Sequence, residues 1–224
     1  MGNAPKAKLL YFTAKMKIYD ISMGIREDMP VYKNKKEKKP ELKATRTLEN
    51  GANESKLILD LHIGTHADAF FHMLANGKTI EKIQLEKFIG SCIVLDFAKA
   101  RDKITINEIK KNKSIKKIKK GDIVLLKTRN KPLEKFNYNF TYLEKSGAEY
   151  FAGKNIKLIG IDSLGIERDQ KNHDTHTILF KKNIPIIEGL ELSKIKPARY
   201  FFIGLPLKIK DGDASPIRAV LVEW

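Results

Sequence analysis

The sequence predicts a single mixed α/β domain in which strands outnumber helices. Apolar, β-branched runs of strand length recur along the whole chain, whereas only three stretches carry helical start or stop signals. A length of 224 residues suits one domain of moderate size, able to build a core without disulfides or a structural metal. Hydrophobic residues at 42% and charged residues at 31% describe a globular chain rather than a disordered one. No internal repeat, low-complexity linker or second-domain boundary is visible. Folded structure is expected from residue 16 to residue 224, with residues 1–15 as a disordered extension.

Taken in order, Lys17–Ser22 alternates Ile18, Asp20 and Ser22 against Tyr19 and Ile21, a strand signal. Met29-Pro-Val-Tyr and the following lysine run read as a loop ending at Pro40. Leu42–Leu48 and Lys56–Ile63 read as the strands of a hairpin turned by Asn50-Gly-Ala-Asn. Ser91–Phe97 is apolar and β-branched. Thr105-Ile-Asn-Glu108 has the form of a capping box and starts a helix with Ile106 and Ile109 on one face. Ile123–Lys127 is a short strand, Tyr142–Ala152 a helix stopped by Gly153, and Ile156–Asp162 a buried strand. His173–Phe180 reads as helix with Asn183 as its stop, and Ile184–Ile187 as a strand ending at Glu188-Gly. Arg199–Gly204 and Ile217–Val222 complete the sheet.

Charge and cysteine content narrow the functional classes. The formal net charge is +16, concentrated at Lys33–Lys39 and along Lys110–Lys120, where seven of eleven residues are lysine. Neither cluster interleaves arginine or aromatic residues, the groups that supply bidentate and stacking contacts to nucleic acid. These clusters therefore read as solvated surface, and a specific nucleic-acid partner is not expected; polyanion binding stays a remote alternative. The single cysteine, Cys92, lies mid-strand and reads as a buried inert thiol in a protein of the reducing cytoplasm. No run approaches the ~18 apolar residues of a membrane span.

The chemistry is announced by the distribution of histidine. Of five histidines, His62, His66 and His72 fall with Asp68 within eleven residues, and His173 and His176 form a second cluster. On a straight strand His62 and His66 would stand ~13 Å apart, at about 3.3 Å per residue. Converging on one ion requires a turn, which Gly64 permits. His62 is thus placed at a strand end, with His66 and Asp68 in the following loop. Two imidazoles and a carboxylate suit zinc, manganese or iron and leave positions open for water. His173 and His176 sit one helical turn apart, and Asp162 and Glu188 at strand ends where site residues commonly project. His173 by itself reads as a surface helix residue.

The stretch His62-Ile-Gly-Thr-His-Ala-Asp-Ala-Phe-Phe-His72 resembles the His-x-Gly-Thr-His-x-Asp-x-Pro-x-His signature of the cyclase family of metal-dependent hydrolases. Ile18-Tyr-Asp-Ile-Ser, Leu158-Ile-Gly-Ile-Asp-Ser-Leu, His176-Thr-Ile-Leu, Ile184-Pro-Ile-Ile-Glu-Gly-Leu and Gly212-Asp-Ala-Ser-Pro-Ile-Arg-Ala-Val resemble further blocks of that family. The resemblance implies a swivelling β/β/α fold and a homodimer or larger assembly with the active site near the subunit interface. It implies that His62, His66 and Asp68 hold a first divalent metal, Zn or Mn. Asp68 would bridge to a second ion held by His176 and Glu188. His72 would be the general base or proton shuttle, with Glu188 as the alternative base. The implied activity is hydrolysis of a small amide or lactam C–N bond, with arylformamidase the first named reaction. A non-catalytic metal-binding member is the alternative. Three departures concern specificity rather than ligands. Phe70 stands at the family's proline, the Met29–Lys35 loop lacks Pro-Gly, and Leu126-Lys-Thr-Arg-Asn replaces a Thr-Gly-Trp stretch.

Overall fold

The computed structural model describes residues 16–128 and 135–224. The expected extension at 1–15, and Arg129 and Asn130 of the departing stretch, lie outside the described residues. Among the described residues thirteen strands form, the first six being β1 (Lys17–Asp20), β2 (Glu41–Arg46), β3 (Glu54–Ile58), β4 (His66–Asp68), β5 (Ile89–Asp96) and β6 (Lys103–Ile104). The others are β7 (Ile123–Lys127), β8 (Tyr142–Leu143), β9 (Leu158–Ile161), β10 (Ile186–Glu188), β11 (Arg199–Ile203), β12 (Ala214–Pro216) and β13 (Val220–Glu223). The α-helices are α1 (Ile106–Lys111), α2 (Lys145–Ala152) and α3 (Asp174–Lys181).

Nine strands make one sheet in the order β1-β13-β11-β5-β7-β9-β10-β4-β12. The central strands β5, β7, β9 and β10 run parallel, and the strands on both flanks are antiparallel. Parallel strands are covered on both faces and read as continuous apolar runs. Accordingly every residue of β9, and Ile123–Leu126 of β7, is buried. The covering helices bring Ala148, Phe151 and Ala152 from α2 and Leu179 and Phe180 from α3 into the core. At α1 the capping box forms as the sequence predicts, with Thr105 N–H donating to Glu108 Oε2 at 3.3 Å and Asn107 N–H to Thr105 Oγ1 at 3.2 Å. Cys92 is fully buried in β5, and burial pushes its thiol well up from the ordinary range.

Three expectations change. The second hairpin strand stops at Ile58 rather than Ile63, because Asp60 turns the chain by accepting from His62 N–H at 3.0 Å while pairing with Lys38 at 2.6 Å. His66–Asp68 is a strand and not a loop, flanked by β10 on one side and β12 on the other. Pairing partners more than a hundred residues away leave no local pattern. The helix predicted from Tyr142 starts at Lys145, and Tyr142–Leu143 instead pairs in parallel with β6.

Candidate active site

The site is assembled where β4 enters the sheet. In the β4–β10 pair His66 stands opposite Glu188 and Asp68 opposite Ile186. Directly paired residues share a face, and so do residues two apart on one strand. His66, Asp68 and Glu188 therefore project together, while Ala67 turns into the core. Gly64, at φ 56, makes the turn that returns His62 over the same face. His176 comes from α3, packed against it.

Asp68 lies at the centre and is almost fully buried. Its Oδ1 faces His62 Nδ1 at 2.9 Å and His66 Nε2 at 3.3 Å, and its Oδ2 faces His176 Nε2 at 3.5 Å. Glu188 faces His66 Nε2 at 3.5 Å and His176 Nε2 at 3.6 Å. Despite these distances neither Asp68 oxygen receives a directed hydrogen bond. The nitrogens and oxygens surround common points rather than aiming at one another. Two triads, His62–His66–Asp68 and Asp68–His176–Glu188, each have ligand atoms within 4.8 Å of one another and could hold a divalent cation.

Each of the three imidazoles is gripped on the nitrogen that faces away from Asp68. His62 Nε2 donates to Asp213 Oδ2 at 3.0 Å, His66 Nδ1 to the Gly64 carbonyl at 3.0 Å, and His176 Nδ1 to Glu167 Oε1 at 2.7 Å. Carboxylates and carbonyls only accept, so each outward nitrogen carries a proton, and the inward nitrogen is the one that would bind a metal once its own proton leaves. Outer acceptors of this kind orient and strengthen imidazole ligands. Buried orphan carboxylate oxygens among inward-facing imidazole nitrogens are a donor set that a divalent metal takes up by displacing the inward protons.

The protein's own groups polarise one another strongly. Burial raises the Asp68 carboxyl, but the three imidazoles outweigh it and hold Asp68 well below the usual range. Burial pulls His62 and His176 down, yet Asp68 with Asp213 raises His62 to about 9, and Asp68 with Glu167 raises His176 to about 10. Glu188 is pushed up to about 7 by burial and by the charge of Asp68. His72 moves the opposite way, down to about 4, through burial and the neighbouring His62 and His176.

His72 follows on the short turn Phe70–His72, its ring 4.1 Å from that of His62 and 5.7 Å from that of His176. Its Nδ1 is 3.9 Å from Asp213 Oδ2, beyond hydrogen-bond reach, so this imidazole is not committed to a carboxylate. A cavity of about 390 Å³ opens over His72, His176 and Glu188. Tyr32 from one segment and Phe136, Tyr138 and Phe140 from another form its aromatic wall. Asn34 joins the two segments, donating to the Phe136 carbonyl at 2.9 Å and accepting from Phe136 N–H at 2.8 Å.

Comparison with known proteins shows the family. The Cyclase family model matches residues 19–168. The chain belongs to the Cyclase family. Kynurenine formamidase of Sphingopyxis alaskensis is 32% identical over 92% of this chain and 98% of its own length. That of Bordetella pertussis is 30% identical over 92% and 98%. A solved structure of a predicted metal-dependent hydrolase from Bacillus stearothermophilus superimposes with a TM-score of 0.83 at 41% identity, covering 94% of this chain and all of that one. Isatin hydrolase A of Labrenzia aggregata shares the fold, with a TM-score of 0.81 at 22% identity over 92% and 93% of the two chains.

In this Cyclase family member the structure brings together His62, His66, Asp68, His72, His176 and Glu188, all read from the sequence. Asp162 is not among them: both its oxygens accept from Thr128 N–H at 3.0 and 2.9 Å, and Oδ1 also from Thr128 Oγ1 at 2.6 Å. His173 is no ordinary surface residue, because the buried Glu167 holds its Nδ1 at 2.9 Å. Glu167 and Asp213 escaped sequence reasoning. Asp213 sits inside the Gly212-Asp-Ala-Ser-Pro block, a usable signal, whereas Glu167 lies in a loop without one. Phe70, at the family's proline, is buried with its ring 5.5 Å from that of Phe180, so core packing anchors the turn that carries His72.

Proposed function

We propose that this protein is a divalent-metal-dependent amidohydrolase that cleaves a small amide or lactam C–N bond, with an aryl formamide of the N-formylkynurenine type as first substrate. The observation that carries the reading is the buried Asp68 carboxylate, whose two oxygens accept no directed hydrogen bond yet stand among three imidazoles and Glu188. His62, His66 and Asp68 would hold one ion, and Asp68, His176 and Glu188 a second, with Zn or Mn as the metal. When bound, a divalent ion acidifies water and polarises a carbonyl. His72 takes the proton from the attacking water and delivers it to the leaving nitrogen, since it is the cluster's imidazole without a carboxylate partner. Glu188 is the alternative base, its Oε1 accepting from Ile166 N–H at 2.5 Å and its Oε2 turned toward His66. The aromatic wall supports an aryl substrate by offering ring edges and faces. The names of the formamidase relatives support the same class of reaction.

A homodimer is part of the proposal. Hairpin β2–β3 forms a separate two-stranded sheet with Leu42 and Leu57 more than 40% exposed. Two-stranded hairpins are marginal alone in water. A second copy would cover it, and light scattering on the purified protein tests this. A cytoplasmic location is proposed on the single, buried cysteine; among the described residues no helix is long and apolar enough to cross a membrane.

The test is elemental analysis of purified protein combined with a panel of formamides, isatin-like lactams and cyclic imides, assayed with Zn and with Mn. Stoichiometric metal and chelator-sensitive cleavage of an aryl formamide are expected. Protein that binds neither metal sinks the reading, and bound metal without turnover across the panel would make this a non-catalytic member.

A further inference from the structure

One side chain of the cavity has polar capacity that the proposed chemistry leaves unused. His173 precedes α3 in a left-handed conformation, φ 44, which residues with a Cβ seldom adopt. Glu167 secures it there. Oε1 of this buried carboxylate accepts from His173 Nδ1 at 2.9 Å and from His176 Nδ1 at 2.7 Å, and Oε2 accepts from Thr175 N–H at 3.0 Å. One carboxylate thus sets the orientation of both rings and places the proton of each on Nδ1.

The two imidazoles then differ only in what their Nε2 atoms meet. That of His176 faces Asp68 and Glu188 at 3.5 and 3.6 Å. That of His173 has no hydrogen-bond partner among the described residues, and the side chain, 38% exposed, lines the same cavity as His72 and Glu188. The ring centres of His173 and His176 lie 6.4 Å apart, so His173 stands beside the reaction centre without entering it. Asp169, which pairs with Lys33 Nζ at 2.9 Å and accepts from Tyr138 OH at 3.3 Å, lies in the same part of the cavity, whose wall also carries Lys35, Lys38 and Arg168. Amid these cations the His173 Nε2 atom is itself an acceptor, which suits a ligand group that donates.

We propose that His173 is a specificity-determining residue whose Nε2 accepts a hydrogen bond from an N–H or O–H donor that the substrate carries away from its scissile amide. This rests on the amide-hydrolase reading above. A single added hydrogen bond of this kind corresponds to roughly tenfold in affinity.

Two variants test it. His173→Phe keeps a ring and removes both nitrogens, whereas His173→Gln retains an acceptor for the substrate and a donor for Glu167. Both are compared with the metal-replete wild type on formanilide and on an aryl formamide bearing an aliphatic ammonium tail. Melting temperature and metal content are measured alongside, and calorimetry follows binding of the two deformylated amines. His173→Phe should raise KM for the tailed substrate and Kd for the tailed amine about tenfold, with kcat within twofold. It should leave formanilide and metal content unchanged, and His173→Gln should restore most of the loss. Equal losses on both substrates, loss of metal, or no change on either would overturn the proposal. If the wild type cleaves neither formamide, the formamidase reading fails, and amine binding still decides the role of His173. A wild type that does not favour the tailed amine refutes it.

Discussion

Replacing Gly189 by alanine should damage the site without altering a single candidate ligand. Gly189 follows Glu188 at φ 67, a left-handed conformation, and a Cβ there would come within 2.2 Å of the Gly64 carbonyl oxygen and 2.8 Å of its carbon. Gly64 turns the chain between His62 and His66, and its carbonyl also holds His66 Nδ1. The two glycines are therefore where the His62–His66 turn meets the strand that delivers Glu188. The left-handed conformation costs a residue with a Cβ about 1–2 kcal/mol. Relieving the overlap by moving backbone adds about 1–3 kcal/mol, as overpacking does. The sum, about 2–5 kcal/mol, lowers the melting temperature by roughly 4–20 °C at about 2–4 °C per kcal/mol for a chain of this size. Separation of Gly64 from Gly189 should also reduce metal affinity. Gly153→Ala is the control: φ is −74 and the closest heavy atom to its added Cβ would be 3.5 Å away. It should be neutral or gain about 0.4–1 kcal/mol through the unfolded state. Thermal melting with and without added zinc, together with elemental analysis, reads both effects. A Gly189→Ala protein that melts within 2 °C of wild type and keeps its metal would refute the reasoning.

Two further outcomes follow from the same geometry. Zinc at about a hundredfold its Kd should stabilise the wild type by about 2.7 kcal/mol, while Asp68→Ala, which removes the residue common to both triads, should show no such shift in a melting experiment. Asp162 is pushed up to about 6 by burial, against an ordinary 3.8, so the folded state holds that proton more tightly than the unfolded state. Its contribution therefore weakens stability as pH rises from about 4 to about 6, by at most about 3 kcal/mol at 1.4 kcal/mol per pH unit. Asp162→Asn keeps an acceptor for Thr128 and should gain on wild type across that window in denaturant titrations; a constant difference from pH 4 to 7 would contradict this.

Local patterning was enough to identify the mixed α/β class, the capping box at Thr105, the buried β5, β7 and β9, and the first candidate cluster of His62, His66 and Asp68, while His176, Glu188 and the role of His72 came from the family resemblance. Those features reside in residue type and near-neighbour spacing: apolar runs for strands, a Ser/Thr-x-x-Glu signature for a helix start, and histidines crowded where the chain otherwise has none. The tertiary structure decided what depends on distant partners. His66–Asp68 became a strand only because β10 and β12 flank it. Asp162 was drawn away from the site by Thr128, although it too ends a strand. Glu167 and Asp213 became the outer acceptors of His176 and His62 through contacts nine and 151 residues apart in sequence. The same Glu167 turned His173 from an apparent surface residue into a fixed wall of the cavity. Residue chemistry and spacing name the groups able to bind an ion, but which nitrogen of each ring faces inward is set by hydrogen bonds between segments that only folding brings together.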